Sequence, residues 1–256
     1  MRIILKNANF EVYGLNSISE LMNDIATNFG GISDLSPIEH FVKSLGADGS
    51  NGIWGKIKGL YMPVLATSTD AEKVFYDIIG KGILKVIEGS YVIEEKRGVS
   101  PNPIGISLAQ GMEIPAGISN DGVSMFGLVT KSPRLNLQNS AGQLHELLGM
   151  RFKWENSAGN SIWDASNDFI QVANETAFTI PAKFVLTSVE NGTRTFLSNG
   201  LSASGSLLPE GSIFSFGRSV YCDISIFGIC EGLTSSEASV IENAIDTFVT
   251  EFGVLC

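Results

Sequence analysis

The chain has 256 residues, 44% hydrophobic and 17% charged, with a formal net charge of −10. This balance excludes intrinsic disorder, which needs low hydrophobicity and high charge. An acidic chain without a basic cluster also argues against a nucleic-acid or anionic-lipid partner. No apolar run reaches the roughly 18–20 residues that span a bilayer, so no membrane insertion is expected. Ile3-Ile4-Leu5 is too short for the apolar core of a signal peptide, which places synthesis in a cytoplasm. Cys222, Cys230 and Cys256 are an odd number of cysteines and read as free, partly buried thiols.

Met1–Gly14 reads as a short strand and a connector, after which helix signals dominate to about residue 80. Ser17 and Glu20 form a capping box ahead of Ile18, Leu21, Met22, Ile25 and Phe29, which share one helical face. Gly30-Gly31 ends that run. Ser36-Pro37-Ile38-Glu39 offers an N-cap, a proline at the first helical position and a box glutamate. Ile38, Phe41, Val42 and Leu45 form the stripe, and Gly46 suits the position past the end. Asn51–Tyr61 carries Ile53, Trp54, Ile57, Leu60 and Tyr61 at helical spacing. Asp70 caps a further helix holding Val74, Phe75 and Ile78, and Gly80-Lys81-Gly82 ends the helical region.

From Ile83 onward short β runs alternate with Gly, Pro, Asn and Ser clusters. The expected strands are Tyr91–Glu94, Ile104–Leu108, Met125–Thr130, Gly149–Trp154, Phe169–Val172, Phe178–Ile180, Phe184–Val189, Thr193–Leu197, Ile213–Phe216 and Asp223–Ile229. Asn191-Gly192 is the strongest turn signal, because both central residues of a type I′ turn need φ > 0. Ser198-Asn199-Gly200 turns the chain again into Leu201–Gly205. Many strands at this spacing predict an all-β sandwich of two antiparallel sheets, with Phe184, Leu186, Phe196, Phe214 and Phe216 in its core. The last element is a helix: Thr234 and Glu237 form a capping box, and Val240, Ile241, Ala244, Ile245, Phe248 and Phe252 line one face.

Several of these stretches resemble tailed-phage virion structural proteins that carry a concanavalin A-like or laminin-G-like jelly roll. Thr193–Ser204 resembles the line T-R-x-F-x-x-N-G-x-x-A-S near the middle of that sandwich, and Ser212–Gly217 resembles its next strand. The closing segment resembles G-x-G-L-T-x-x-E-A followed by F-x-x-x-x-G, here Phe248 to Gly253. Upstream, Leu5–Phe10 is similar to L-x-N-A-D-F. Phe41–Ala66 is similar to F-V-x-x-(I/L)-G … W-x-K-(I/L)-x-x-L-Y-x-x-x-x-A through Trp54, Lys56, Leu60, Tyr61 and Ala66. The resemblance implies a mainly β protein with helices. Residues 1–85 would form a helical anchoring region, and 86–256 a jelly-roll sandwich closed by a helix over 233–253.

Catalytic motifs are missing. His145-Glu146 is followed at the zincin position by Gly149, not a second histidine, and His40 is the other histidine. A glycoside hydrolase needs paired carboxylates about 5–5.5 Å apart for retention, which alternating acids on a strand would supply. Glu94-Glu95 are adjacent, and Asp164 and Asp168 sit in a polar loop. The expectation is a non-enzyme without cofactor or metal. Asn156–Asp168 is the candidate ligand-binding stretch: Asn160, Asp164 and Asp168 offer oxygens, while Trp163, or Trp154 just before it, could stack on a sugar ring. Calcium at this loop is weighed against a plain inter-strand turn rich in Asn and Asp, which the residues favour.

The sequence reading is therefore a virion structural protein: a fibre, decoration or tail-tip module in contact with other virion proteins. The alternative is a carbohydrate-binding module for host surface glycans. Phe29, Phe41, Trp54, Tyr61 and Phe75 are read first as core of the helical part. Any surplus apolar surface they leave would form the interface of a homo-oligomer. A trimer is preferred to a dimer only because phage fibres are trimeric.

Overall fold

The computed structural model describes residues 17–67, 71–80, 85–88, 90–102, 109–113, 122–130, 150–153, 161–165, 170–174, 181–205, 213–216 and 223–255. Helices α1 (Ile18–Phe29), α2 (Ser36–Ser44) and α3 (Ile53–Lys56) lead into strand β1 (Ile57–Tyr61), a 3₁₀ turn at Pro63–Leu65 and a short α4 (Ala71–Val74). Among the described residues thirteen strands follow. They are β2 (Lys85–Glu88), β3 (Ser90–Glu94), β4 (Gly98–Asn102), β5 (Ala109–Glu113), β6 (Val123–Val129), β7 (Met150–Lys153), β8 (Ser161–Ala165), β9 (Ile170–Asn174), β10 (Ala182–Leu186), β11 (Arg194–Ser198), β12 (Leu201–Gly205), β13 (Ile213–Phe216) and β14 (Ile224–Glu231). Helix α5 (Ser235–Phe252) closes the chain.

Every strand pair among the described residues is antiparallel, so the protein is mainly antiparallel sheet with a few helices. The largest sheet has eight strands. Seven run in the order β12-β11-β10-β6-β14-β4-β3, and β1 also pairs with β14. Two three-stranded sheets, β13-β5-β2 and β7-β8-β9, are the others among the described residues. The β10–β11 hairpin turns at Asn191-Gly192 with φ of 52° and 78°, the left-handed values that a type I′ turn demands. On β14, Gly228 stands opposite Phe126, where an added Cβ would lie 2.2 Å from the ring. The glycine leaves the space that the ring fills.

Helix α5 lies against β10 and β11, and α2 packs on α5, where the Phe41 and Phe248 rings are 5.3 Å apart. One core runs through both halves of the chain. Phe29, Phe41, Leu60 and Phe75 belong to the same buried cluster as Phe126, Phe184, Leu186, Phe196, Ile229 and Phe248. Burial of this kind stabilises by roughly 25 cal/mol per Å² of apolar surface removed from water.

Several expectations change at this level. Asn51–Tyr61 is not one helix. α3 is a single turn, and β1 pairs with β14 through Ile57↔Cys230, Gly59↔Ile229, Leu60↔Gly228 and Tyr61↔Phe227. A short apolar run buried on both sides has no periodicity that separates strand from helix, and here the partner strand decides. α2 begins one residue early: Leu35 is its N-cap, and Asp34 Oδ1 accepts from the Ser36 N–H at 2.9 Å. β1 lies before residue 85 and β14 after it, and the two pair in one sheet. Ile104–Leu108, Phe178–Ile180, Leu5–Phe10, Asp70, His145, Cys222 and Cys256 lie outside the described residues. Cys230 is a buried free thiol.

Candidate functional site

The conspicuous polar cluster among the described residues surrounds the passage from β14 to α5. After Glu231 the chain turns at Gly232 with φ of 74°, buries Leu233 fully and caps α5 with Thr234. The Thr234 hydroxyl accepts from the Glu237 N–H, and the Glu237 carboxylate accepts from the Thr234 N–H at 2.8 Å, closing the box. Lys56, at the end of α3, reaches the same place. Its Nζ donates to the Gly232 carbonyl at 2.7 Å and to both Glu237 oxygens at 2.7 Å.

The β10–β11 hairpin joins from the other side. Glu190 Oε2, at the hairpin tip, accepts from the Ser235 N–H at 3.1 Å and the Ser235 hydroxyl at 3.3 Å. A carboxylate there also meets the positive end of the helix dipole. Below it, Ser124 and Ser188 hydroxyl oxygens are 2.7 Å apart. Leu233 N–H donates to Ser124 Oγ, and Ser188 N–H donates to the Leu233 carbonyl. Arg194 is fully buried, and its Nη1 donates to the Thr187 carbonyl at 3.0 Å.

The carboxylates here act as acceptors: Glu237 for Lys56 and for the cap N–H of its own helix, Glu190 for Ser235. Burial pushes Glu237 up, but hydrogen bonds from Lys56 and Thr234 outweigh it and hold the carboxyl below its ordinary value. Asp77 behaves oppositely: burial dominates and raises it, although its Oδ1 accepts from the Leu60 and Ile79 N–H groups at 2.9 and 3.0 Å. Burial, then the Asp77 charge, pushes the Tyr61 phenol up as well. Burial likewise raises the Cys230 thiol and keeps it protonated. Such groups fasten elements together. No cluster of three or more His, Cys, Asp or Glu that could hold a metal occurs among the described residues.

The residues expected to bind ligand fall elsewhere. Trp163 and Asp164 are on β8, opposite Phe152 and Arg151 of β7, so the stretch around them is not one continuous loop. Asn160, Asp168 and Trp154 lie outside the described residues. The residues expected at a subunit interface are interior: Phe29, Phe41, Tyr61 and Phe75 are at most 2% exposed, and Trp54 is half-buried against the core. Phe41 meets Phe248 of α5, Tyr61 pairs with Phe227 of β14 and Phe29 packs edge-on against Tyr76, and all four side chains are covered and offer no apolar surface to a neighbour. In the sequence Lys56 stands out only within the W-x-K motif, and Glu190 only as a residue beside the Asn191-Gly192 turn. No local signal marks either partner, since each contact crosses a long stretch of chain.

No protein-family model matches the chain, and no curated protein matches its sequence. Among solved structures, it is similar to the Trypanosoma rangeli sialidase in complex with 2-keto-3-deoxy-D-glycero-D-galacto-2,3-difluoro-nononic acid. The TM-score is 0.51 at 11% identity, over 91% of this chain and 39% of that one. The chain thus spans well under half of the sialidase's length, and at this identity the likeness is one of fold alone. The Caenorhabditis elegans galectin LEC-6 gives a TM-score of 0.22 at 11% identity, over 50% of this chain and 87% of that one, which is too low to carry an argument.

Proposed function

We propose that this chain is a structural module of a tailed-phage particle, a concanavalin A-like or laminin-G-like jelly roll closed by α5. One observation carries the reading: stretches that separately resemble that family meet in space. Lys56 of the W-x-K block bonds Gly232 and Glu237 of the closing block. Glu190, three residues before the T-R-x-F line, bonds Ser235 of the same closing block. Scattered similarities become parts of one local structure. The long antiparallel sheet supports a sandwich, and the acceptor role of the buried carboxylates suits a part whose work is mechanical.

In this reading the protein is a fibre, decoration or tail-tip module in the virion, in contact with other virion proteins and with copies of itself. The homo-oligomer, with a trimer preferred to a dimer, uses surface other than Phe29, Phe41, Tyr61 and Phe75. Mass spectrometry of purified particles tests the assignment: the chain should be present in stoichiometric copy number, and its absence from intact particles would refute it. Native mass spectrometry tests the trimer.

The second reading is a carbohydrate-binding module. It rests on Trp163 and Asp164, neighbours on the central strand of the β7-β8-β9 sheet, with Trp154, Asn160 and Asp168 close in sequence. A glycan array with the protein and its Trp163→Ala variant separates the readings. Binding lost in the variant favours recognition, and a blank array favours the structural role. Neither reading includes hydrolysis, and a reducing-sugar assay on host polysaccharides should give no turnover.

A further inference from the structure

Helix α5 buries Ala238, Ile241, Glu242, Ala244, Ile245 and Phe248, and Glu242 is the one charged residue among them. It is 7% exposed. Its carboxylate faces the backbone N–H groups of Gly200 and Asn199, in the turn between β11 and β12. That turn is the two-residue left-handed kind, with φ of 49° at Asn199 and 79° at Gly200. In such a turn the flanking residues pair with each other, here Ser198 with Leu201. Glu242 reaches this turn from another element. Its Oε1 has no hydrogen-bond partner among the described residues. The charged groups that face it are Lys183 of β10 and Asp246, one turn further along α5. Lys183 Nζ is itself bonded to Asp246 Oδ2, so one ammonium serves two carboxylates.

We propose that Glu242 is an acid-tightened latch between the closing helix and the β11–β12 turn. When Oε1 takes a proton from solvent, the buried negative charge disappears and the repulsion from Asp246 ends. The other oxygen still accepts from the turn, so α5 docks more firmly as the pH falls. Burial supports this direction: it raises the carboxyl above its ordinary value, against Lys183 and the two N–H groups, which lower it. A group whose folded value is raised contributes stability that is complete below its ordinary value of 4.5 and is lost as pH rises through the folded value. The window therefore lies above the ordinary carboxyl value.

Hydrogen exchange of the full chain tests the latch. After correction for intrinsic rates, protection of the Asn199 and Gly200 amides should increase from pH 8 to pH 5. In Glu242→Gln, which is uncharged throughout, that dependence should vanish. Urea midpoints give a second reading: the variant should be the more stable at pH 8, with its advantage shrinking toward pH 5. Lys183→Met should move the wild-type transition to higher pH. Protection at the turn that is independent of pH in the wild type would overturn the proposal. So would a wild-type-to-variant difference that stays constant across the range.

Discussion

Lys56 Nζ sits 2.7 Å from both carboxylate oxygens of Glu237, 181 positions away in the chain, and 2.7 Å from the Gly232 carbonyl. The side chains are 31% and 21% exposed, so the pair is shielded but reachable by water. One ammonium thus fixes α3, the end of β14 and the first turn of α5 relative to one another.

Removing either partner should be costly. Lys56→Met or Glu237→Gln should each destabilise by about 1–3 kcal/mol, since the remaining group keeps its desolvation without its partner. A double-mutant cycle should show coupling of at least about 0.5 kcal/mol. Glu237 is held below its ordinary value of 4.5, so its contribution is present above that value and lost as pH falls through the lowered one. Urea midpoints of the wild type and Glu237→Gln should therefore converge in acid. Additive single effects, or a gap that persists in acid, would show that the contact contributes nothing specific.

Two glycines separate backbone strain from crowding. Gly192 has φ of 78° and nothing within 4 Å of an added Cβ. Gly192→Val should cost roughly 1–3 kcal/mol from the backbone alone. Gly228→Ala meets the Phe126 ring at 2.2 Å and should cost about 1–3 kcal/mol through overpacking. Gly228→Ala combined with Phe126→Leu should recover part of that loss, whereas no substitution elsewhere should rescue Gly192→Val. Thermal melts of the three variants check this.

Deleting everything before residue 83 should abolish the cooperative fold. The deletion removes β1 from the edge of β14 and takes Phe41 away from Phe248. Exposing Phe248 resembles a large core truncation of about 3–5 kcal/mol, before the strand is counted. A truncated chain with a dispersed amide spectrum and a sharp urea transition would contradict the single core.

Asp77 is nearly as buried as the core, and its Oδ1 holds the Leu60 and Ile79 amides. Asp77→Ala leaves two donors unpaired and should cost about 1–3 kcal/mol for each. Asp77→Asn retains a carbonyl acceptor and loses the buried charge. Since the Asp77 carboxyl is raised, its contribution is complete below its ordinary value of 3.8 and declines as pH rises through the folded one. Asp77→Asn should therefore compare best with the wild type near neutral pH and worst in acid. Equal losses for Asn and Ala at every pH would show that the amides do not depend on this acceptor.

The sequence alone determined the features whose physics is complete within a few residues. The boxes at Ser17/Glu20 and Thr234/Glu237 both form, and the Asn191-Gly192 turn takes its left-handed dihedrals. Strands near β3, β6, β7, β9, β10, β11, β12, β13 and β14 were legible from alternation between turn residues. The strands β2, β4, β5 and β8 were not, because Gly98–Asn102 and Ala109–Glu113 are glycine- or polar-rich and gain their pairing from distant partners. Tertiary structure alone decided the rest. Ile57–Tyr61 is a strand because β14 offers an edge. Phe41 is interior because α5 brings Phe248 onto it, and Phe29 because Tyr76 packs against it. Lys56, Glu190 and Glu242 acquire their roles from groups that no local pattern places beside them. Local signals report the conformations a segment favours, whereas long-range pairing and burial choose among them, and those terms act between residues the sequence keeps far apart.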